Sequence, residues 1–244
     1  MASKQHFYRR AGGFLCVAQG NLEDFVGDAL ATSTNRRLEG ALRRNWWGFI
    51  GRRSADAALH EKAGPSLLHD CKALAQELPF GTVLATSPGS ALSVRHVLHT
   101  AVPSHPAGRD PRPMPSTQAG DFATTPAEAM SLLQCSYCEL LRCAAALEAK
   151  SLACPAIGCG IRGYPMEEAA EIGLRLIVED VVVPYVEVRI WDWVTFKVWQ
   201  ESCCKLGLES CNAADVMGTL WDGETLENWQ KKRITLGSRV CPLM

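Results

Sequence analysis

The chain has 244 residues, 47% of them apolar, which is enough for one sizeable α/β core with an appendage. A formal net charge of -1 excludes a dominant basic footprint for nucleic acid. No apolar run approaches the roughly 20 residues a membrane span needs, and MASKQHFYRR lacks the apolar stretch of a secretory signal. Eleven cysteines, an odd number in a chain of this length without a signal, read as reduced thiols rather than a disulfide framework. The expected setting is therefore intracellular, cytoplasmic or nuclear.

In chain order, residues 13–18 (GFLCVA) read as the first strand and 28–32 (DALAT) as a short buried second one. The basic, aromatic stretch TNRRLEGALRRNWWGFIGRRS then reads as a loop, with an insert over 36–53. Ser54 stands where an N-cap belongs, so a helix is expected over 54–63, stopped by Gly64-Pro65. A second helix follows over 66–77, then strands over 81–86 and 94–100. Residues 102–126 hold six of the thirteen prolines and read as a long open loop. Helix is expected over 126–150, strand over 151–157, helix over 165–180, strand over 184–190 and helix over 193–206. The extension 207–244 offers a helix at 223–233 and little else. Alternating strands and helices predict an α/β fold in three layers, α/β/α, around a mixed, largely parallel sheet. The domain is expected to span 1–206.

The segment SLACPAI-GCGIRG-YPMEEAAEIGLRL reads strand, glycine loop, helix. In such a sheet ligands sit beyond the carboxyl ends of the strands. Gly158, Gly160 and Gly163 let the backbone approach a ligand closely, and amides beside a helix N-terminus favour an anion. The spacing is neither a dinucleotide fingerprint nor a P-loop. Four pieces in register carry more weight: GNLEDFVGDALATSTN, SADAALHEKAGP, RHVLHTAVP and CPAIGCGIRGYP. Together, over roughly residues 13–203, they resemble a macrodomain, the ADP-ribose-binding module.

The resemblance implies an ADP-ribose cleft. Asn35 matches the last asparagine of the family's Asn-Ala-Ala-Asn turn, which here reads Thr32-Ser33-Thr34-Asn35. Asp56 falls at the family aspartate that polarises a water or ribose hydroxyl in the hydrolases. These two are the implied catalytic pair. Asn21 stands where an aspartate usually meets adenine, with Leu22 beside it, and Gly51 is a retained glycine of the lengthened loop. Gly158, Cys159, Gly160, Ile161, Arg162 and Gly163 form the implied diphosphate and ribose loop, with Arg162 where an aromatic often packs. Trp191, after the last clear strand, borders the implied adenine pocket. The activity implied is hydrolysis of ADP-ribosyl ester-type linkages, on protein, on a nucleic-acid end or in O-acetyl-ADP-ribose. The alternatives are a reader that binds ADP-ribose without turnover and a degenerate domain serving as an interaction scaffold. No cofactor and no metal are expected; the partners are ADP-ribose or an ADP-ribosylated macromolecule, and no membrane.

Other residues have bland readings beside sharp ones. Trp46, Trp47 and Phe49 among Arg43, Arg44, Arg52 and Arg53 read either as loop packing with solvated charges or as a cationic flap able to meet a base or polynucleotide. His60, His96 and His99 read as packing histidines, and Cys135, Cys138 and Cys143 as small helix residues rather than zinc ligands. Cys159 has a thiol whose pKa a helix N-terminus can lower, but no base partner is identifiable, so it reads as a small residue near phosphate.

Overall fold

The computed structural model of the chain describes residues 4–40, 54–106 and 121–220. The strands are β1 (Gln5–Arg10), β2 (Gly13–Gln19), β3 (Ala29–Thr34), β4 (Val83–Thr86), β5 (His96–Ala101), β6 (Ser151–Cys154), β7 (Tyr185–Ile190) and β8 (Ser210–Cys211). They form one sheet in the order β4-β5-β3-β6-β7-β2-β1-β8. The five inner strands, β5 to β2, run parallel, while at the margins β4 pairs antiparallel with β5, β1 with β2 and β8 with β1. The helices are α1 (Ala55–Ala63), α2 (Pro65–Leu74), α3 (Pro126–Ala146), α4 (Met166–Glu179), α5 (Trp193–Lys205) and α6 (Ala213–Leu220). A 3-10 turn spans Leu22–Asp24. No described helix is long and apolar enough to cross a membrane.

The layers follow from the period of two in each strand. Leu15 and Val17 of β2, with Val186 and Val188 of β7, belong to the larger core, where Tyr137 of α3, Leu174 of α4 and Trp199 of α5 meet. Phe14, Cys16 and Ala18 point to the opposite face, against Leu59 and Ala63 of α1 and Leu67 of α2. Both faces of the parallel strands are thus covered by helices, as a parallel sheet requires. The fold class expected from the sequence holds.

Local chemistry sets the helix ends. The Ser54 hydroxyl accepts from the Ala57 amide at 3.1 Å and caps α1. Thr125 caps α3 through the Glu128 amide at 3.1 Å, and Asp192 caps α5 through the Thr195 amide at 2.9 Å. The helix expected over 126–150 ends earlier, at Ala146. The Glu148 amide donates to Ala145 at 2.9 Å and the Ala149 amide to Ala144 at 3.0 Å, a two-bond reversal with Glu148 at φ 54°. The strand expected over 151–157 stops at Cys154, because Pro155 has no amide to continue the ladder.

Two regions were read differently from the sequence. Residues 5–10 were not expected to be a strand, and little was expected over 207–220. Yet β1 pairs with β2 along its whole length, and β8 pairs with β1. Val216 of α6 is buried in the smaller core. The helix expected at 223–233 lies outside the described residues, as do residues 41–53 of the insert and 107–120 of the proline-rich loop.

Candidate functional site

The carboxyl ends of β2, β3, β5, β6 and β7 all open on one edge of the sheet. Each expected site segment leaves the sheet there: Asn21 and Leu22 after β2, Asn35 after β3, the glycine loop after β6 and Trp191 after β7.

Asp56 lies in the first turn of α1 and is 3% exposed. Its two oxygens are held separately. Thr32 donates its hydroxyl to one at 3.0 Å, and Thr34 donates to the other at 3.1 Å. The two threonines sit two apart on β3, so both face the same side. The stretch read as an altered turn, Thr32-Ser33-Thr34, is therefore strand, and its hydroxyls hold the carboxylate. The helix N-terminus adds a favourable dipole for a negative charge. His60, one turn on, brings Nε2 to 3.8 Å from Asp56 Oδ1.

Asn35 is the next residue after Thr34 and is half-buried. Its side-chain oxygen accepts from the Glu39 amide at 3.2 Å, and its carbonyl accepts from the Leu38 amide at 3.0 Å. Asn35 thus shapes the turn that opens the insert. Gly51 lies outside the described residues.

The glycine loop divides its roles. Gly158 has φ 85°, and a side chain there would place Cβ 2.8 Å from the Tyr164 ring. Gly158 is therefore required by the fold. Gly160 is different: a Cβ there meets nothing within 4 Å. The loop closes on itself through Cys159 N to Ala156 O at 3.2 Å, Gly163 N to Gly160 O at 3.1 Å and Tyr164 N to Gly158 O at 3.1 Å. The amides of Gly160 and Ile161 have no backbone acceptor among the described residues. The Ile161 side chain is 53% exposed, large for an apolar group.

The Cys159 thiol turns inward to the larger core. Burial pushes it up to about 11, against a lowering contact from Trp199. Burial outweighs the helix N-terminus as an influence on this thiol.

Arg162 reaches across the edge. It donates to the Thr34 carbonyl and to the Ser104 hydroxyl, both at 3.4 Å. Burial lowers its pKa, while Asp121, Tyr164 and Asp56 act in the other direction. Arg162 and Asp56 are thus both bonded to Thr34, from opposite ends of that residue.

On the far side, Asn21 is exposed; its side chain donates to Asp24 at 3.1 Å, while Leu22 is buried in the core beneath. Trp191 is 56% exposed. Trp193 stacks on Phe196 with centroids 5.6 Å apart and lies under Lys4 at 4.5 Å, so packing accounts for it.

Sequence reasoning missed Thr32 and Thr34 as partners of Asp56, although Thr-x-Thr at a strand end carries the two-residue spacing. It also missed Arg189. This residue pairs with the buried Glu187 and donates to the Asn21 carbonyl at 3.2 Å, tying the Asn21 turn to β7. The signal was Glu187-x-Arg189 inside an otherwise apolar strand.

These features define a three-layer α/β/α domain whose expected site segments gather at the strand carboxyl ends. The model of the Macro domain family matches residues 32–173, more than half the chain. This chain belongs to that family. A macro domain-containing protein of Streptomyces griseus is 30% identical over 178 residues, 71% of this chain and 84% of that protein. An O-acetyl-ADP-ribose deacetylase of Salmonella newport is 30% identical over 195 residues, 79% of this chain and 90% of that protein. Among solved structures, an Oceanobacillus iheyensis macrodomain with ADP superimposes at a TM-score of 0.69 and 24% identity, covering 84% of this chain and 98% of that one. A point mutant of the same macrodomain with ADPR gives 0.66 at 25% identity, with the same coverage.

Proposed function

We propose that the cleft binds ADP-ribose and hydrolyses an ADP-ribosyl ester-type linkage, in O-acetyl-ADP-ribose or on a mono-ADP-ribosylated protein or nucleic-acid end. The observation that carries this reading is Asp56, a carboxylate in the first turn of α1 with each oxygen held by a threonine hydroxyl of β3. Two relatives with matching extents, a solved macrodomain with ADPR and a deacetylase of O-acetyl-ADP-ribose, support it.

The ligand would lie along the edge from Trp191 to Asn35. Trp191 offers an exposed ring for adenine, and the Asn21 turn borders the same end. The Gly160 and Ile161 amides offer fixed donors to the diphosphate, which cost little reorganisation when charge arrives. Asn35, Asp56 and Arg162 would frame the distal ribose. In ester cleavage, a water oxygen bonds to the carbonyl carbon and the bond to the ribose oxygen breaks. Asp56 orients that water or the neighbouring hydroxyl and takes its proton, which then passes to the leaving ribose oxygen.

A reader without turnover is the second reading. The engagement of the Asn35 side-chain oxygen with the Glu39 amide favours it, because an asparagine committed to a turn has less to offer a ribose. Release of acetate from O-acetyl-ADP-ribose, followed for the wild type and Asp56→Ala, separates the two. The hydrolase reading expects turnover in the wild type and a loss of at least about a hundredfold in the variant, the scale of a lost general base. Binding without turnover in the wild type supports the reader.

A further inference from the structure

Asn21 and Asp24 bracket the 3-10 turn that follows β2, and the turn is tied down from three sides. The Gly20 amide donates to the Ile190 carbonyl at 3.0 Å, which sets Asn21 beside the end of β7, where Trp191 follows. The Asn21 carbonyl accepts from the Asp24 amide at 3.3 Å and from Arg189 at 3.2 Å. Arg189 is itself anchored on the buried Glu187. Lys62 of α1 holds the third side: its ammonium donates to the Glu23 carbonyl at 2.7 Å and to Asp24 Oδ1 at 2.8 Å. The other Asp24 oxygen, Oδ2, accepts from the Asn21 side-chain nitrogen at 3.1 Å.

An ionised carboxylate accepts hydrogen bonds and donates none. The Lys62 hydrogen bond, joined by that of Asn21, lowers the Asp24 pKa, so Asp24 is ionised at neutral pH. The nitrogen end of the Asn21 amide must therefore face Asp24, and Oδ1 is turned the other way. With its backbone fixed, Asn21 cannot exchange the two ends without setting oxygen against oxygen. Among the described residues nothing donates to Asn21 Oδ1. A free asparagine offers a donor or an acceptor by turning over; this one offers an acceptor.

We infer that Asp24 and Lys62 are positioning residues that fix Asn21 as an acceptor, so that the site selects a base with an exocyclic amino group over one with a carbonyl in its place. The inference rests on the proposed ADP-ribose reading, with the base at the Trp191 and Asn21 end. Adenine presents N–H donors there. Hypoxanthine presents a carbonyl oxygen, which meets Asn21 Oδ1 lone pair to lone pair. Stacking on Trp191 does not distinguish the two, because every base has a π-face. A site built to hydrogen-bond a group rejects the analogue lacking it, since its own polar atom is left unpaired. Asn21 and Asp24 are exposed, which places the preference at the low end for a base-reading hydrogen bond, about tenfold.

The test is calorimetry of full-length protein with ADP-ribose and with its inosine counterpart. The wild type should bind ADP-ribose about tenfold more tightly. Asp24→Asn keeps the shape but can turn its own amide, which frees Asn21 to turn as well. That variant should bring the two affinities within about threefold, chiefly through tighter binding of the inosine ligand. Lys62→Gln, which loosens Asp24 without removing it, should fall between. Asn21→Ala should also lose the preference, but with no gain for the inosine ligand. A merely structural role for Asp24 would weaken both ligands alike and leave their ratio unchanged; that result overturns the inference. Equal binding of the two ligands by the wild type overturns it too, while leaving the ADP-ribose reading in place. A wild type that binds neither ligand fails that reading, and the inference falls with it.

Discussion

Thr32 and Thr34 hold one oxygen of Asp56 each, so the carboxylate cannot rotate without losing two hydrogen bonds. A hydrogen bond to a charged group contributes about 1.5–3 kcal/mol. Thr32→Val keeps the shape and removes one donor; we expect it to lower unfolding free energy by about that amount in urea. The same variant should reduce turnover, since a loosened carboxylate is poorly aimed. Cys159 makes a prediction of opposite character. Its thiol is buried and raised to about 11, so at pH 8 it stays protonated and covered. Iodoacetamide on the native protein should label the exposed Cys135, Cys138 and Cys204 first and leave Cys159 unmodified, as peptide mass spectrometry would show. The sign of its pH linkage follows. A raised folded-state pKa adds stability below the ordinary thiol value near 9, and that contribution is lost as pH rises from 9 toward 11. Labelling of Cys159 at the rate of Cys135 would show that the loop opens readily.

Among the elements, those flagged by punctuation or by period were readable from sequence, and those held by tertiary contacts were not. Ser54 and Gly64-Pro65 bracket α1, and the structure starts and ends it there. Strand β1 carries no comparable mark. It reads as polar, and only Tyr8 of it is deeply buried. What secures its end is Arg10, whose guanidinium is buried against the Asp180 and Val183 carbonyls, 170 and more residues away. No local pattern announces that contact. The end of α3 was missed by four residues for a related reason: the reversing residue is Glu148 rather than glycine. An ordinary residue in the left-handed region costs about 1–2 kcal/mol, part of which a glycine returns as unfolded-chain entropy. Glu148→Gly should therefore stabilise the protein by about 0.5–1 kcal/mol, read as a raised urea midpoint with an unchanged slope. A lowered midpoint would mean that the Glu148 side chain has a role beyond the turn.

At the scale of the molecule, alternation of strand and helix was enough to bring the expected site segments to one edge, because a parallel sheet directs every crossover loop of one kind to the same edge. The short pieces at that edge could be recognised in sequence because each is a loop with unusual residues. Their supports could not. Thr32, Thr34, Ser104 and Arg189 are common residue types whose roles arise only when β3 lies beside β5 and β7 beside β2. The glycine loop shows both sides of this. Gly158 is required by its backbone angle and by Tyr164, while Gly160 faces open space. Gly160→Glu should consequently leave the fold intact, within about 0.5 kcal/mol of wild type, yet place a bulky anion where the diphosphate would lie. The most direct test of the account is calorimetry of ADP-ribose binding to the wild type and to Gly160→Glu. The account predicts micromolar binding at one site per chain, lost in a variant whose thermal unfolding is unchanged. Absence of binding in the wild type, or equal binding in both proteins, would contradict it.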